Sequence, residues 1–402
     1  MTVSSTKGEQ LNIIRRNTIS LVTERELEEK LSENRVLRVK LGVDPSVADL
    51  HLGHAVVLRK LRQFQEFGHK VILIIGDFTA RIGDPSGRSK TRPMLSKEEV
   101  EENARTYSTQ AFRILDKEMT EVRFNSEWLN KLTFEELIRI SSYYTVARML
   151  ERDDFEKRYE QNEPISISEF MYPLAQAYDS VCINADIEIG GDDQYFNMLV
   201  GRRLQQGYGQ KSQIVMTLPL LEGTDGKAKM SKSLGNYIAF EDDPKDMYGK
   251  LMSLPDELIT KYLRLLTDID EEKIKQVETS IEQGAVNPRD SKMEMALAIT
   301  EEFHGKAVAR EAQRHFIEVF QKRNVPKEIT DVFIPREGIN IVDLLHEKCG
   351  ITSRSEAKRL VMGGGVSIEG EVVRDFRSVI HQEYEGIMKI GKRRFFRLRC
   401  EV

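Results

Sequence analysis

The strongest constraint on the fold lies in the first 220 or so residues, where short apolar runs rich in Val and Ile alternate with amphipathic segments of helical period. RVLRVKLGV (35–43), KVILIIGD (70–77), EVRFN (121–125), ADIEIGG (185–191) and QIVMTLPLL (213–221) read as strands. HAVVLRKLRQFQEFG (54–68) reads as a helix ending on glycine, and SKEEVEENARTYSTQAFRILD as one opened by a serine cap with early glutamates. Strands that alternate with helices build a parallel sheet covered on both faces, so the expected class is α/β with a Rossmann-like sheet domain over residues 1–243. Residues 126–184 are mostly helical and read as an insertion between the two halves of that sheet. Beyond Asp243 only helices follow, punctuated at Pro244, Pro255, Asn287, Pro288 and Gly305, which sets a helical domain at 244–323. A proline-containing linker is expected at 324–337 and a small α+β module at 338–402.

Composition narrows the function classes. The 402-residue chain is 40% hydrophobic and 31% charged, an ordinary soluble balance. No apolar run approaches the roughly 18 residues of a membrane span, and the N-terminus lacks the core of a signal peptide. A cytoplasmic protein without membrane partners is therefore expected. Cys182, Cys349 and Cys400 lie far apart without metal-ligand spacing, so neither a disulfide framework nor a zinc site is implied. The net charge is −5, yet residues 338–402 carry 12 Lys and Arg against 9 Asp and Glu. The tail thus has the opposite sign to the body, and nucleic-acid binding depends on such local patches.

The chemistry gathers where strands end. DPSVADLHLGH (44–54) follows the strand at 35–43 and delivers His51 and His54 at i, i+3 to the start of a helix, with Gly53 between them. A helix N-terminus favours anions and disfavours imidazolium, so the pair reads either as neutral donors to phosphate oxygens or as a capping histidine beside a packed one. The loop GDFTARIGDPSGR (76–88) is long enough to line a crevice. GKAKMSKSLGN (226–236) reads as a solvated loop or as a cationic clamp whose glycines let it swing. No GxxxxGK[ST] and no GxGxxG follows a strand, so neither a P-loop NTPase nor a dinucleotide dehydrogenase is supported. In FMYPLAQAYDSVCI (170–183), Tyr172, Gln176 and Asp179 share one face of an otherwise apolar helix. Such a stripe is a satisfied buried network or a site, and a buried aspartate there needs a donor.

HLGH (51–54) and KMSKS (229–233), in this order, resemble the two signatures of class I aminoacyl-tRNA synthetases. Together with KLGVDPSVADLHLGH, GDFTARIGDPSGR, FMYPLAQAYD and IGGDDQYFN they resemble the bacterial tyrosyl-tRNA synthetases over essentially the whole chain. That resemblance implies tyrosine activation with ATP as substrate, accompanied by Mg²⁺, without a protein-bound metal or organic cofactor, and then transfer to tRNA(Tyr) by a homodimer joined through the insertion. It implies His51, His54, Lys229 and Lys232 as catalytic groups, the two lysines on the pyrophosphate. Asp44, Gly53, Asp193, Gln194 and Met230 would contact ATP; Gly42, Asp84, Tyr172, Gln176 and Gln194 would line the amino-acid site, with Asp179 on the phenol hydroxyl. Sites built to bond a hydroxyl reject the analogue lacking it, for which tyrosine against phenylalanine in this enzyme class is a standard worked example.

Three positions depart from the commoner family pattern: Lys40 stands where many members have a tyrosine, Arg88 where they have lysine, and Asp192 where they have serine or threonine. The helical domain would bind the anticodon. The tail INIVDLLHEKCGITSRSEAKRLVMGGGVSIEGEVVRD resembles an S4-type RNA-binding domain, which implies phosphate contact by Arg354, Lys358, Arg359, Lys392, Arg393 and Arg394. Read from composition alone, the same residues are a solvated charged face with core phenylalanines. Two alternatives share the sequence features: a tryptophan-specific synthetase of this fold and a non-catalytic RNA-binding relative.

Overall fold

A computed structural model describes residues 6–45, 49–84, 96–321, 329–381, 386–391 and 394–400. Residue contacts divide it into two units, Met1–Asp243 with Lys250–Phe303, and Pro244–Gly249 with His304–Val402.

The first unit is built on β1 (Ser20–Val22), β2 (Arg38–Val43), β3 (Lys70–Ile75), β4 (Thr120–Phe124), β5 (Ile187–Gly191) and β6 (Ile214–Leu218). They lie in the order β1-β6-β5-β2-β3-β4. All neighbours from β6 to β4 are parallel, as the alternating pattern predicts. At one edge β1, a strand that the alternating pattern does not announce, pairs antiparallel with β6. KVILII of β3 is buried at five of its six residues, which is why a central parallel strand reads as an unbroken apolar run. Strand order reverses between β5 and β2, and the crevice beyond the carboxyl ends of these two strands is where α/β sheets bind ligands.

Three helices carry the site. Helix α1 (Leu52–Glu66) buries Leu52, Ala55, Leu58, Leu61 and Phe64 along one stripe. Helix α2 (Ile167–Cys182) opens on a Ser166–Glu169 capping box and includes Pro173 in its interior. Helix α3 (Tyr195–Gly207) follows the turn after β5. Within the insertion, Phe134, Ile138, Val146, Tyr159 and Ile167 are exposed apolar residues.

The helical segment expected as a domain of its own at 244–323 does not form a separate unit. Helices from Ile259–Leu266 to most of Pro288–His304 belong with the sheet, whereas Lys306–Phe316 belongs with the tail. The second unit contains a sheet in which Arg394–Cys400 pairs parallel with Thr330–Ile334 and antiparallel with Gly386–Ile390. Part of the expected linker is thus a strand: Val332 and Ile334 lie in the same core as Leu344, Leu345, Val361 and Leu398. Among the described residues no helix is long and apolar enough to cross a membrane.

Candidate active site

A cavity of about 730 Å³ opens at the carboxyl ends of the strands and is lined by Gly42, Asp44, Gly53, Tyr172, Asp179, Asp193, Gln194, Lys229, Met230 and Lys232, among others. All the residues expected to contact tyrosine or ATP line this one cavity, His51, His54, Asp84 and Gln176 included. Of the departures from the family pattern, Arg88 lies outside the described residues.

At one end stand the two histidines. His51 is the N-cap of α1: its Nδ1 accepts the Gly53 N–H at 3.2 Å, while His54 Nδ1 accepts the His51 N–H at 3.2 Å. The pair therefore forms a reciprocal capping box made of imidazoles, their ring centroids 4.0 Å apart. Withdrawal from water, then His54 and Lys232, press His51 down to about 2. Withdrawal from water, opposed by the bond to the His51 backbone and assisted by Lys232, takes His54 down to about 4. Both rings are thus neutral at neutral pH, and with Nδ1 accepting, the proton sits on Nε2. The capping reading and the donor reading describe the same arrangement: capping fixes the tautomer that leaves Nε2–H as a donor.

Gly53 serves this packing directly, since a Cβ there would lie 3.0 Å from the His51 ring. Met230 is buried beside it.

The KMSKS segment is the outer arm of a turn. Met230 N donates to Leu221 O at 2.7 Å and Gly223 N to Ala228 O at 2.9 Å. Buried Asn236 accepts from Ser231 N at 2.8 Å and donates to Lys229 O at 3.2 Å. Gly226 has φ +70° and a Cβ there would meet Pro255 at 2.4 Å, so it makes a packed turn rather than the free hinge expected from composition. Lys229 pairs with Asp193 at 3.1 Å and Lys232 with Asp49 at 2.6 Å, while Lys227 is exposed. Beyond the turn, Leu52 N donates to Ile238 O and Phe240 N to Leu50 O, both at 3.0 Å, so the two motif segments are joined by backbone.

At the other end lie the carboxylates. Asp44, expected in the ATP set, accepts the Tyr172 hydroxyl at 2.9 Å and the Thr79 hydroxyl at 2.7 Å. Withdrawal from water pushes it up to about 7, the Thr79 bond opposing and the Asp84 charge adding to the rise. Gly76 makes this possible, because a Cβ there would come within 2.0 Å of Asp44. Asp84 accepts from Gln194 Nε2 at 2.9 Å.

Asp179 is buried, and the donors that satisfy it were not anticipated. Trp128 Nε1 donates at 2.7 Å and Asn125 Nδ2 at 3.3 Å. Burial pushes Asp179 up to about 7, with Lys40 and these two donors pulling the other way. Trp128 is the chain's only tryptophan and stands beside Asn125 just after β4, the one signal that sequence held. Gln176 accepts from Asn197 Nδ2 and donates to Glu188, both at 3.1 Å.

The remaining departures acquire places. Asp192 accepts the Thr217 hydroxyl at 2.8 Å, and that hydroxyl accepts the Ser20 N–H at 3.1 Å, so the extra carboxylate ties the turn after β5 to β6 and β1. Lys40 is fully buried and pairs with Glu188 at 2.9 Å.

In the second unit, Arg354 is held by Asp343 at 2.8 Å and Glu347 at 3.1 Å. Lys358 Nζ lies 4.0 Å from the centroid of the Phe376 ring. Arg359 and Arg394 are exposed; Lys392 and Arg393 lie outside the described residues. Phe396 packs against the unit's core.

The family model described as tRNA synthetases class I (W and Y) matches residues 32–321. The chain is 60% identical over 393 residues to a tyrosine–tRNA ligase of Thermotoga maritima, covering 98% of both chains. It is 51% identical to one of Carboxydothermus hydrogenoformans, covering 97% of both. In fold it is similar to a tyrosyl-tRNA synthetase of Archaeoglobus fulgidus solved with L-tyrosine, at 24% identity and a TM-score of 0.63, covering 77% of this chain and all of that one. A C-terminally truncated mitochondrial tyrosyl-tRNA synthetase of Aspergillus nidulans gives a TM-score of 0.65 at 24% identity, covering 79% and 94%. The crevice at the strand-order reversal, its neutral histidine pair and its two loop lysines thus have a family to which this chain belongs, the class I tRNA synthetases for tryptophan and tyrosine.

Proposed function

We propose that the chain is a tyrosyl-tRNA synthetase that activates L-tyrosine with ATP and transfers it to the 3′ end of tRNA(Tyr). The observation that carries the choice of amino acid is the buried Asp179 carboxylate, fixed by the Trp128 and Asn125 donors at the cavity wall. A fixed acceptor there favours a phenol hydroxyl, and an amino acid without the hydroxyl forgoes that bond.

The mechanism follows from charge. The tyrosine ammonium lies among Asp84, Tyr172 and Gln176, with Asp44 behind Tyr172. The tyrosine carboxylate attacks the α-phosphorus of ATP and pyrophosphate leaves, so negative charge grows on oxygens facing the neutral histidine Nε2–H donors and the ammonium groups of Lys229 and Lys232. Asp193 meets the ribose and Gln194 the tyrosine carboxylate or the α-phosphate. Mg²⁺ arrives on the phosphates as part of the substrate. The 3′-terminal hydroxyl of tRNA then attacks the carbonyl carbon of the tyrosyl-adenylate; the acyl–phosphate bond breaks, AMP leaves and the hydroxyl proton is released.

The tail module contacts tRNA phosphates through Arg354, Lys358, Arg359, Lys392, Arg393 and Arg394, and helices of the 244–323 segment meet the anticodon. The exposed apolar residues Phe134, Ile138, Val146, Tyr159 and Ile167 form the homodimer contact, supported by their clustering in one insertion. The protein works in the cytoplasm. Tyrosine-dependent ATP–pyrophosphate exchange tests the assignment: exchange with tyrosine but not with phenylalanine or tryptophan is expected, and exchange with tryptophan alone would refute it.

A further inference from the structure

Beneath the cavity the sheet buries a full ion pair. Lys40 on β2 and Glu188 on β5 are cross-strand partners at the point where strand order reverses, and their side chains are 0% and 2% exposed. Lys40 lies two residues before Gly42 and so on the same face of β2; a Cβ at Gly42 would meet nothing within 4 Å, because the cavity begins there.

The pair is bonded to the helix that forms the cavity wall. Lys40 Nζ donates to the Gln176 carbonyl at 2.8 Å and to Ser180 Oγ at 2.7 Å. Glu188 accepts from Gln176 Nε2 at 3.1 Å, from Ser180 Oγ at 3.2 Å and from Gln213 Nε2. Both ends of Gln176, backbone and amide, are therefore gripped by the two members of one ion pair. From Gln176 the chain of bonds runs on through Asn197 to Gln194 and Asp84.

Stability alone gives little reason for this arrangement. A buried ion pair recovers its desolvation cost poorly, and apolar residues of similar volume commonly serve as well or better. A pair that is nonetheless fully bonded to a substrate-facing residue points to orientation. The Lys40 charge also opposes the effect of burial on Asp179.

We propose that Lys40 and Glu188 are a positioning pair for amino-acid recognition: Glu188 orients the Gln176 amide, Lys40 holds the Gln176 backbone, and together they fix the α2 face that carries Asp179. This rests on the tyrosine-binding roles given above to Gln176 and Asp179. Neither member touches substrate; they act through Gln176 and the α2 turn.

The test is pyrophosphate exchange by the full chain with Lys40→Met, Glu188→Gln, the double variant, Ser180→Ala and Gln176→Ala, each with its melting temperature. Each pair variant is expected to raise the tyrosine KM by about tenfold or more, to leave the ATP KM within about twofold, and to narrow the preference for tyrosine over phenylalanine. The double variant, which leaves no lone buried charge, regains the parent melting temperature without regaining the tyrosine KM. Recovery of both would make the pair merely structural and overturn the proposal. Should those variants fail to accumulate, Ser180→Ala decides: a raised tyrosine KM at unchanged melting temperature supports the pair, an unchanged KM overturns it. If Gln176→Ala leaves the tyrosine KM unaltered while the pair variants raise it, the role given to Gln176 is wrong and so is the claim that Glu188 acts by orienting its amide.

Discussion

Lys232 Nζ lies 2.6 Å from the Asp49 carboxylate, and Asp49 precedes the histidine cap of α1 by two residues. The loop cation is thus held beside the HLGH turn before substrate arrives, and Lys229 is held likewise by Asp193. Attack on ATP shifts negative charge to the leaving pyrophosphate, and a cation that exchanges Asp49 for that charge acts on the transition state. Lys232→Ala is therefore expected to slow adenylate formation by roughly 10²–10³ while leaving tyrosine affinity unchanged. Single-turnover activation against equilibrium tyrosine binding separates the two, and equal losses in both would remove the transition-state role.

Trp128→Phe keeps an aromatic ring but deletes the N–H donated to Asp179. A charge-assisted bond to a buried carboxylate contributes about 1.5–3 kcal/mol, so tyrosine kcat/KM should fall by roughly ten- to a hundredfold, and phenylalanine should be hurt less. An unchanged ratio between the two substrates would mean that the indole does no more than fill space.

The pH dependence of stability has a definite sign at Asp44. Its carboxyl is raised to about 7 in the fold from an ordinary value near 4, so its contribution is fully present below the unfolded pKa and is lost as pH rises through about 7. Asp44→Asn keeps partners for the Thr79 and Tyr172 hydroxyls, which rotate freely. Relative to the parent, the variant should gain melting temperature from about pH 4 to about pH 7 and level off above that. A difference that stays flat across that range would show that Asp44 is ionised throughout.

For the tail, simultaneous Lys358→Glu, Arg359→Glu and Arg394→Glu substitution should leave pyrophosphate exchange unaltered and raise the tRNA KM at least about tenfold, with a shallower salt dependence. Charging kinetics at two ionic strengths measure both. A normal tRNA KM would reassign these residues to a solvated face.

What the sequence made legible, and what it did not, follows from the range of the interactions. KVILII announces β3 because both faces of that strand are buried, so the pattern is written in consecutive residues. SLV of β1 is three half-buried residues at a sheet edge, and only its partner β6 makes it a strand. His51 and His54 were visible as a spaced pair, since i, i+3 is a local relation. Withdrawal from water explains why the pair is neutral, and the capping bonds that fix its tautomer depend on the turn's backbone. Lys40 reads within RVLRVKLGV as a residue that alternation sends outward. It is buried because Glu188 faces it from β5, and no local pattern records which strand pairs with which. Trp128 and Asp179 meet for the same long-range reason. At the domain level, proline and glycine marked where helices end but not which core each helix joins, so the segment at 244–323 was read as one unit and divides into two.

The backbone bonds from Leu52 to Ile238 and from Phe240 to Leu50 stitch the start of α1 to the stretch that follows the lysine turn. During synthesis the ribosome makes the first of these partners long before the second. The nascent chain therefore lacks the finished histidine end of the cavity until Phe240 has left the exit tunnel, however early the central strands assemble.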